Sequence, residues 1–205
     1  FVEVRGIAFY GTTTTNVYVG DRAEIHSKAS YGFTGRRTIR SFVTGSKAKI
    51  YHKEATSGNL TVSETLSDSP FRVSHIFTLG EEAELTIVRE RNRNDAGAIR
   101  VNNTNGVVTL GKGAKMSIEQ IGPAFYAPRR ASFVMEEGAS FYANTSNGFN
   151  SSTRRFSQMT IGKNANFHVT DAGRTRNRST SRPMIDIANT ITVDEEAVFL
   201  VETEV

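Results

Sequence analysis

Arginine is the residue type whose number and spacing point most directly to chemistry in this chain. Eighteen arginines and seven lysines outnumber the acidic residues and give a formal net charge of +4. Three arginine pairs follow aromatic segments, in the stretches YGFTGRR, AFYAPRR and GFNSSTRR (Arg36 and Arg37, Arg129 and Arg130, Arg154 and Arg155). Because a planar guanidinium binds phosphate, sulfate or carboxylate with two parallel hydrogen bonds, these pairs predict a basic face for an anionic polymer. Tyr126 and Phe149 are predicted to contribute to the same face.

The polymers that fit such a face are teichoic acid, a sulfated or sialylated glycan, and DNA. Nucleic acid is not expected as the partner, because the chain contains no recognised nucleic-acid-binding module and its net charge is modest. The alternative interpretation of the arginines is an ordinary solvated side of the molecule, balanced by acidic residues elsewhere.

Carboxylates could cleave an acidic polysaccharide if several of them converged on one face. Asp95, Asp171 and Asp186, in the variable segments, are the aspartates considered for catalysis, and each stands alone in the sequence. The four histidines lack metal-ligand spacing, and there is no cysteine for disulfides or thiol catalysis. We therefore predict a protein without enzymatic activity, metal or cofactor. A polysaccharide lyase or hydrolase is the alternative.

Seven repeats, each centred on an alanine, would position these side chains. The template is apolar, x, apolar, Gly, x, x, Ala, x, apolar, x, apolar, as in VTLGKGAKMSI at 108–118. The anchoring alanines are about 29 residues apart on average, a period typical of stacked repeats; they are Ala23, Ala48, Ala83, Ala114, Ala139, Ala165 and Ala197. Alternating apolar and polar residues indicate two short strands joined by a corner in each copy.

Glycine occupies five of the seven corners, where we expect it to adopt backbone angles that a side chain would not allow. Glu136 and Asp194 take its place in the other two corners, for which a different conformation is predicted.

The repeats predict an all-β protein, a parallel β-solenoid of about seven coils that forms a single domain over residues 1–205. One strand pair cannot bury its apolar face by itself, but coils stacked about 4.8 Å apart share a continuous interior. The alanines would form one interior column, beside a second column of larger residues (Ile25, Ile50, Leu85, Met116, Phe141, Phe167 and Phe199). A β-sandwich of similar strands is the alternative fold.

Variable segments between the strand pairs would complete each coil. The stretches 59–64, 97–103 and 184–189 are predicted as strands of a third wall, and the long inserts 56–76 and 171–182 are predicted to bulge from the stack. The arginine pairs stand at similar offsets from their alanines, so we expect them on one side of the rod.

The repeated units, [apolar]-Thr-[apolar]-Gly-x-x-Ala-x-[apolar] without cysteine, resemble the pectate lyase-like adhesive domains of surface proteins from Gram-positive bacteria. The resemblance covers all seven copies, from Val17 to Val201. It implies a right-handed parallel β-helix at the bacterial cell surface or cell wall. It also implies a non-catalytic adhesin that presents a lateral face to an extracellular polysaccharide or glycoconjugate. A purely structural stalk is a further alternative.

Both ends of the chain suggest a fragment of a longer surface protein. Phe1 lies within an alternating strand, and Val198 and Leu200 are apolar where earlier repeats carry mostly polar residues, so we expect a following segment to cover them. No apolar run approaches the roughly 20 residues that span a bilayer, and membrane insertion is not expected. These patterns do not determine the oligomeric state.

Overall fold

The structure is a computed structural model, and it describes residues 2–3, 11–29, 34, 38–54, 69–92, 97–128, 130–150, 155–171 and 184–203. The regular secondary structure of these residues is entirely β. Sheet A consists of β1 (Val2–Glu3), β3 (Glu24–Ala29), β5 (Lys49–Glu54), β7 (Glu84–Asn92), β10 (Lys115–Ile121), β13 (Ser140–Thr145), β15 (Asn166–Asp171) and β17 (Val198–Thr203). Within the described ranges there is no helix long and apolar enough to span a membrane.

Sheet B faces sheet A across the core. It consists of β2 (Asn16–Val19), β4 (Ile39–Thr44), β6 (Phe71–Leu79), β9 (Val107–Leu110), β12 (Ser132–Met135), β14 (Gln158–Ile161) and β16 (Thr190–Val193). Two short strands, β8 (Ile99–Val101) and β11 (Phe125–Tyr126), continue from the first half of β6 as a third wall.

The pairings between these strands are parallel and join one coil to the next, so the chain is a parallel β-solenoid. The predicted fold is confirmed, and the β-sandwich alternative is wrong. The solenoid has about five turns, slightly fewer than the seven coils predicted. The prediction counted one coil for each of the seven alanine-centred strand pairs.

The seven alanines form one continuous column, as predicted. The amide of the residue after each alanine donates a hydrogen bond to the carbonyl of the alanine one coil earlier, with a donor–acceptor distance of 2.8 Å at all six steps. The five inner alanines are fully buried (Ala48, Ala83, Ala114, Ala139 and Ala165). The second predicted column is confirmed by the strand register, in which Met116 pairs with Leu85 and Phe141.

The corners differ from the prediction. The left-handed residue is the one before the alanine in every copy, with φ between 54° and 67° (Arg22, Lys47, Glu82, Gly113, Gly138, Asn164 and Glu196). The corners that begin with Glu136 and Asp194 share this conformation, and each is closed by a hydrogen bond from its alanine amide. Glycine instead allows close approach between coils, because a Cβ at Gly80 would lie 2.6 Å from the carbonyl oxygen of Gly45.

The third wall agrees only in part with the prediction. The stretch 97–103 contains β8, as expected. The insert 56–76 was predicted to bulge, but Phe71 and Val73 are buried because the first half of β6 belongs to the third wall. The stretch 184–189 is not a strand, although the Asn150 side chain bonds both the amide (3.0 Å) and the carbonyl (2.8 Å) of Asp186. The stretch 59–64 and residues 172–182 lie outside the described residues.

The last coil exposes apolar side chains that correspond to buried positions in the preceding coils. Ile191, Val193, Phe199 and Val201 are 37–45% exposed. The outward side chains of Val198 and Leu200 are 50% and 39% exposed, and the segment expected to cover these two residues stays a prediction.

Candidate functional site

The outer face of sheet A carries an extended candidate site. Side chains alternate between the two faces of a strand, so the third residue after each alanine points outward. The strand register stacks these residues into one column, which is aromatic towards both ends and carries small hydroxyl residues in the middle (His26, Tyr51, Thr86, Ser117, Tyr142, His168 and Leu200).

A shallow open groove follows this column, and we call it the sheet A groove. Its larger part has a volume of about 330 Å³ and extends from Glu84 to His168. A second part of about 160 Å³ continues past Tyr51 to His26. The groove arises because Thr86 and Ser117 are much smaller than the tyrosines on the neighbouring coils. Tyr51 and Tyr142 stand three coils apart, or roughly 14 Å at the usual strand spacing.

Aromatic rings frame the groove at both ends. The Tyr142 and His168 rings meet edge to face with their centroids 5.2 Å apart, and those of His26 and Tyr51 are 6.0 Å apart. Tyr51 and Tyr142 are 38% and 39% exposed, so part of each side chain is accessible to a ligand. A tyrosine offers an apolar face and a polar hydroxyl together, which suits a ligand with both kinds of surface.

Charged residues line one edge of the groove. In the column one residue after the alanines, acidic and basic residues alternate (Glu24, Lys49, Glu84 and Lys115), and Lys115 Nζ lies 3.5 Å from Glu84 Oε1. His26 Nε2 lies 2.6 Å from Glu24 Oε1. This hydrogen bond, together with the charge of the His26 ring, holds the pKa of Glu24 below its ordinary value.

The predicted arginine face is only partly described. Arg36, Arg37, Arg129 and Arg154 lie outside the described residues. Arg130 is exposed in the turn before β12, and Arg155 precedes the neighbouring strand β14. Arg155 Nη1 lies 2.7 Å from Asp186 Oδ1, so this arginine already has a carboxylate partner.

The two predicted aromatic contributors have different environments. Tyr126 is half-buried in the third wall, and the Arg100 guanidinium lies 4.4 Å from the centre of its ring. Phe149 is fully buried, so its predicted contact with a polymer is wrong. The physical reason is the third-wall register, which directs Phe149 into the core, with its ring centroid 5.0 Å from that of Phe125.

The structure describes two of the three aspartates considered for catalysis. Asp171 is buried at the C-terminal end of β15, and Asp186 is paired with Arg155, while Asp95 lies outside the described residues. In the part of the chain that the structure describes, no three histidine or acidic residues are close enough together to hold a metal ion.

Sequence reasoning missed the groove residues Tyr51, Thr86, Ser117 and Tyr142. Their signal was present in the repeat alignment, as a column that changes from aromatic to small and back to aromatic. Compared with known proteins, the chain shows no match: no protein-family model fits it, and neither a curated protein nor a solved structure is significantly similar to it.

Proposed function

We propose that this β-solenoid is a non-catalytic binding module that holds an extended polysaccharide along the sheet A groove. The observation that carries this proposal is the pair of exposed tyrosines, Tyr51 and Tyr142, on either side of a floor of small hydroxyl residues. The C–H face of a pyranose ring is apolar and packs on an aromatic ring, while its hydroxyls bond polar side chains. The roughly 14 Å between the tyrosines corresponds to an oligosaccharide of about three units.

A binding role suits the groove better than a catalytic one. Glu84 is the carboxylate that reaches the larger part of the groove, and it is paired with Lys115. Most glycoside hydrolases cleave the glycosidic bond with two carboxyl groups that flank it. The groove is also open along its length, so a long polysaccharide can bind in it from the side and does not have to enter by one of its ends.

The finer proposal is an adhesin domain of the pectate lyase-like kind, acting outside the cell at the surface or wall of a Gram-positive bacterium. Support for it comes from the repeat motif, and from the parallel β-helix that such a domain would have. In this setting the solenoid is a rigid rod, and its lateral face meets a host or matrix polymer.

The test is calorimetric titration with soluble β-glucan, chitin and xylan oligomers and with polygalacturonate, for the parent and for Tyr51→Ala and Tyr142→Ala. We expect at least one saccharide to bind, and each variant to bind it about three- to tenfold more weakly, because one aromatic contact contributes about 0.5–1.5 kcal/mol. Tyr18→Ala is the matched control, since Tyr18 is 67% exposed on sheet B, away from the groove.

Equal affinity of the parent and both groove variants would refute the groove as the binding site. Release of new reducing ends or of unsaturated products during incubation would contradict the non-catalytic assignment and favour a lyase or hydrolase. Failure of every saccharide to bind would favour the structural stalk.

A further inference from the structure

We infer that the outer face of the third wall carries a second site, separate from the sheet A groove, for an oxyanion of an acidic polysaccharide. The site is centred on Arg100 in β8. In the strand register this residue stands between Arg72 of β6 and Tyr126 of β11. None of the arginine pairs singled out in the sequence includes it.

Two neighbours hold the Arg100 side chain in one orientation. The guanidinium carbon lies over the Tyr126 ring, 4.4 Å from its centre. On the other side, Arg100 Nε donates to Asn102 Oδ1 at 2.8 Å, and Asn102 Nδ2 donates to Thr38 Oγ1 at 2.7 Å. The Asn102 carbonyl is therefore oriented to accept from Arg100. An arginine held in this way loses little side-chain entropy when a ligand binds.

The terminal nitrogens of Arg100 are the groups that would bind the anion. The hydrogen bond to Asn102 uses only Nε, and among the described residues no carboxylate forms an ion pair with Arg100. The planar fork of the two terminal nitrogens matches a carboxylate, sulfate or phosphate, which it can bind through two parallel hydrogen bonds.

The surrounding charge has the sign that such a ligand requires. Arg72 stands directly opposite Arg100 on the neighbouring coil, so the two positively charged side chains lie on the same outer face. The described acidic side chains lie on sheet A, in the corners or in the interior; Asp186, at the third wall, is paired with Arg155. The third-wall face around Arg100 is therefore basic in its described part.

The experiment measures binding of heparin, polygalacturonate and teichoic acid, which carry sulfate, carboxylate and phosphate respectively. Affinities are determined for the parent protein and for Arg100→Gln and Arg100→Lys at low and at physiological salt. We expect the parent to bind at least one polymer, Arg100→Gln to bind it about tenfold more weakly, and Arg100→Lys to recover little of the loss, since a lysine cannot form the fork. Binding should weaken with salt in every case.

Arg22→Gln is the matched control, because it removes one exposed positive charge from a corner remote from the third wall. A loss for Arg22→Gln equal to that for Arg100→Gln would show that only net charge matters and would overturn the site. An affinity of Arg100→Gln within twofold of the parent value would also overturn the site.

Asn102→Ala tests the site without changing the charge, and it also serves if Arg100→Gln fails to fold. Releasing Arg100 from Asn102 is expected to weaken binding several-fold, and unchanged affinity would contradict the inferred orientation. Tyr142→Ala separates this site from the sheet A groove. We expect Tyr142→Ala to retain full heparin affinity. If Tyr142→Ala loses affinity and Arg100→Gln does not, the anion binds in the sheet A groove and the inference is overturned.

Discussion

The interior of the solenoid contains two edges of opposite character. At the edge where sheets A and B meet, the alanine column is flanked by buried apolar residues such as Leu85 and Leu110. At the edge where sheet A meets the third wall, the interior is polar. There Arg89, 2% exposed, donates from Nε to Glu54 Oε2 at 3.1 Å and from Nη1 to Gln120 Oε1 at 3.0 Å.

The difference shows where a solenoid can hold a buried charge. The first edge is made of repeat positions that every coil shares. Each apolar residue there therefore stacks on the apolar residue at the same repeat position of the next coil. The second edge is made where the coils differ in length, and there unlike residues stack on one another. Glu54, Arg89 and Gln120 occupy the same position on three successive coils and so satisfy one another, while the Gln120 amide donates to the carbonyl of Pro123.

The largest effect on stability is expected for Ala114→Arg. This substitution places an arginine at the apolar edge, whereas the polar edge already contains the buried Arg89. Ala114 is fully buried, and an arginine there has neither space nor an acidic partner. We expect a loss of about 5 kcal/mol or more in the free energy of unfolding, or failure to fold. Urea denaturation followed by circular dichroism measures this, and unchanged stability would refute an interior alanine column.

Glu54→Gln tests the polar edge by removing one partner of its buried ion pair. The side chains of Arg89 and Glu54 are 1% and 4% exposed, so the substitution leaves a buried guanidinium without its carboxylate. The expected loss is about 3–5 kcal/mol, also measured by urea denaturation. Replacing the exposed Glu84, whose partner Lys115 is exposed, should by contrast cost less than about 1 kcal/mol.

The smallest of the three effects depends on pH and concerns His52, which is buried beside the same edge. Burial, and next the positive charge of Arg89, lower the pKa of His52 from 6.5 to about 3. The unfolded chain therefore binds a proton between these pH values that the folded chain does not, so stability falls as pH falls through this window. Between pH 6.5 and pH 4 this histidine should account for a loss of about 3 kcal/mol.

His52→Gln removes that titration while keeping a polar side chain next to Ser27. The stability of the parent, measured at several pH values, should decline more steeply with acid than that of the variant. Parallel curves for the two proteins would mean that His52 is not neutral in the folded state.

The fold was predictable from sequence because its signals are local and repeated. Alternation with a period of two residues identified the strands, and the alanine-anchored copies aligned Ile50, Leu85 and Met116 into the column that the structure confirms. The candidate site was less predictable. Arginine pairs are conspicuous in sequence, but whether an aromatic neighbour points outward depends on the register of the third wall, and Phe149 points inward.

The sequence by itself therefore determined the strand pairs, their stacking order and the apolar columns, because identical offsets from each alanine lead to identical positions in successive coils. Only the tertiary structure decided which residues meet where the coils differ. Anchors 25 to 35 residues apart make segments of unequal length, so the partnership of Arg89 with Glu54 and the contact of Arg100 with Tyr126 depend on how each segment closes its coil. The sheet A groove lies between these cases: its column follows from the repeat, but its depth comes from small residues stacked between two tyrosines, a difference between coils that no single repeat contains.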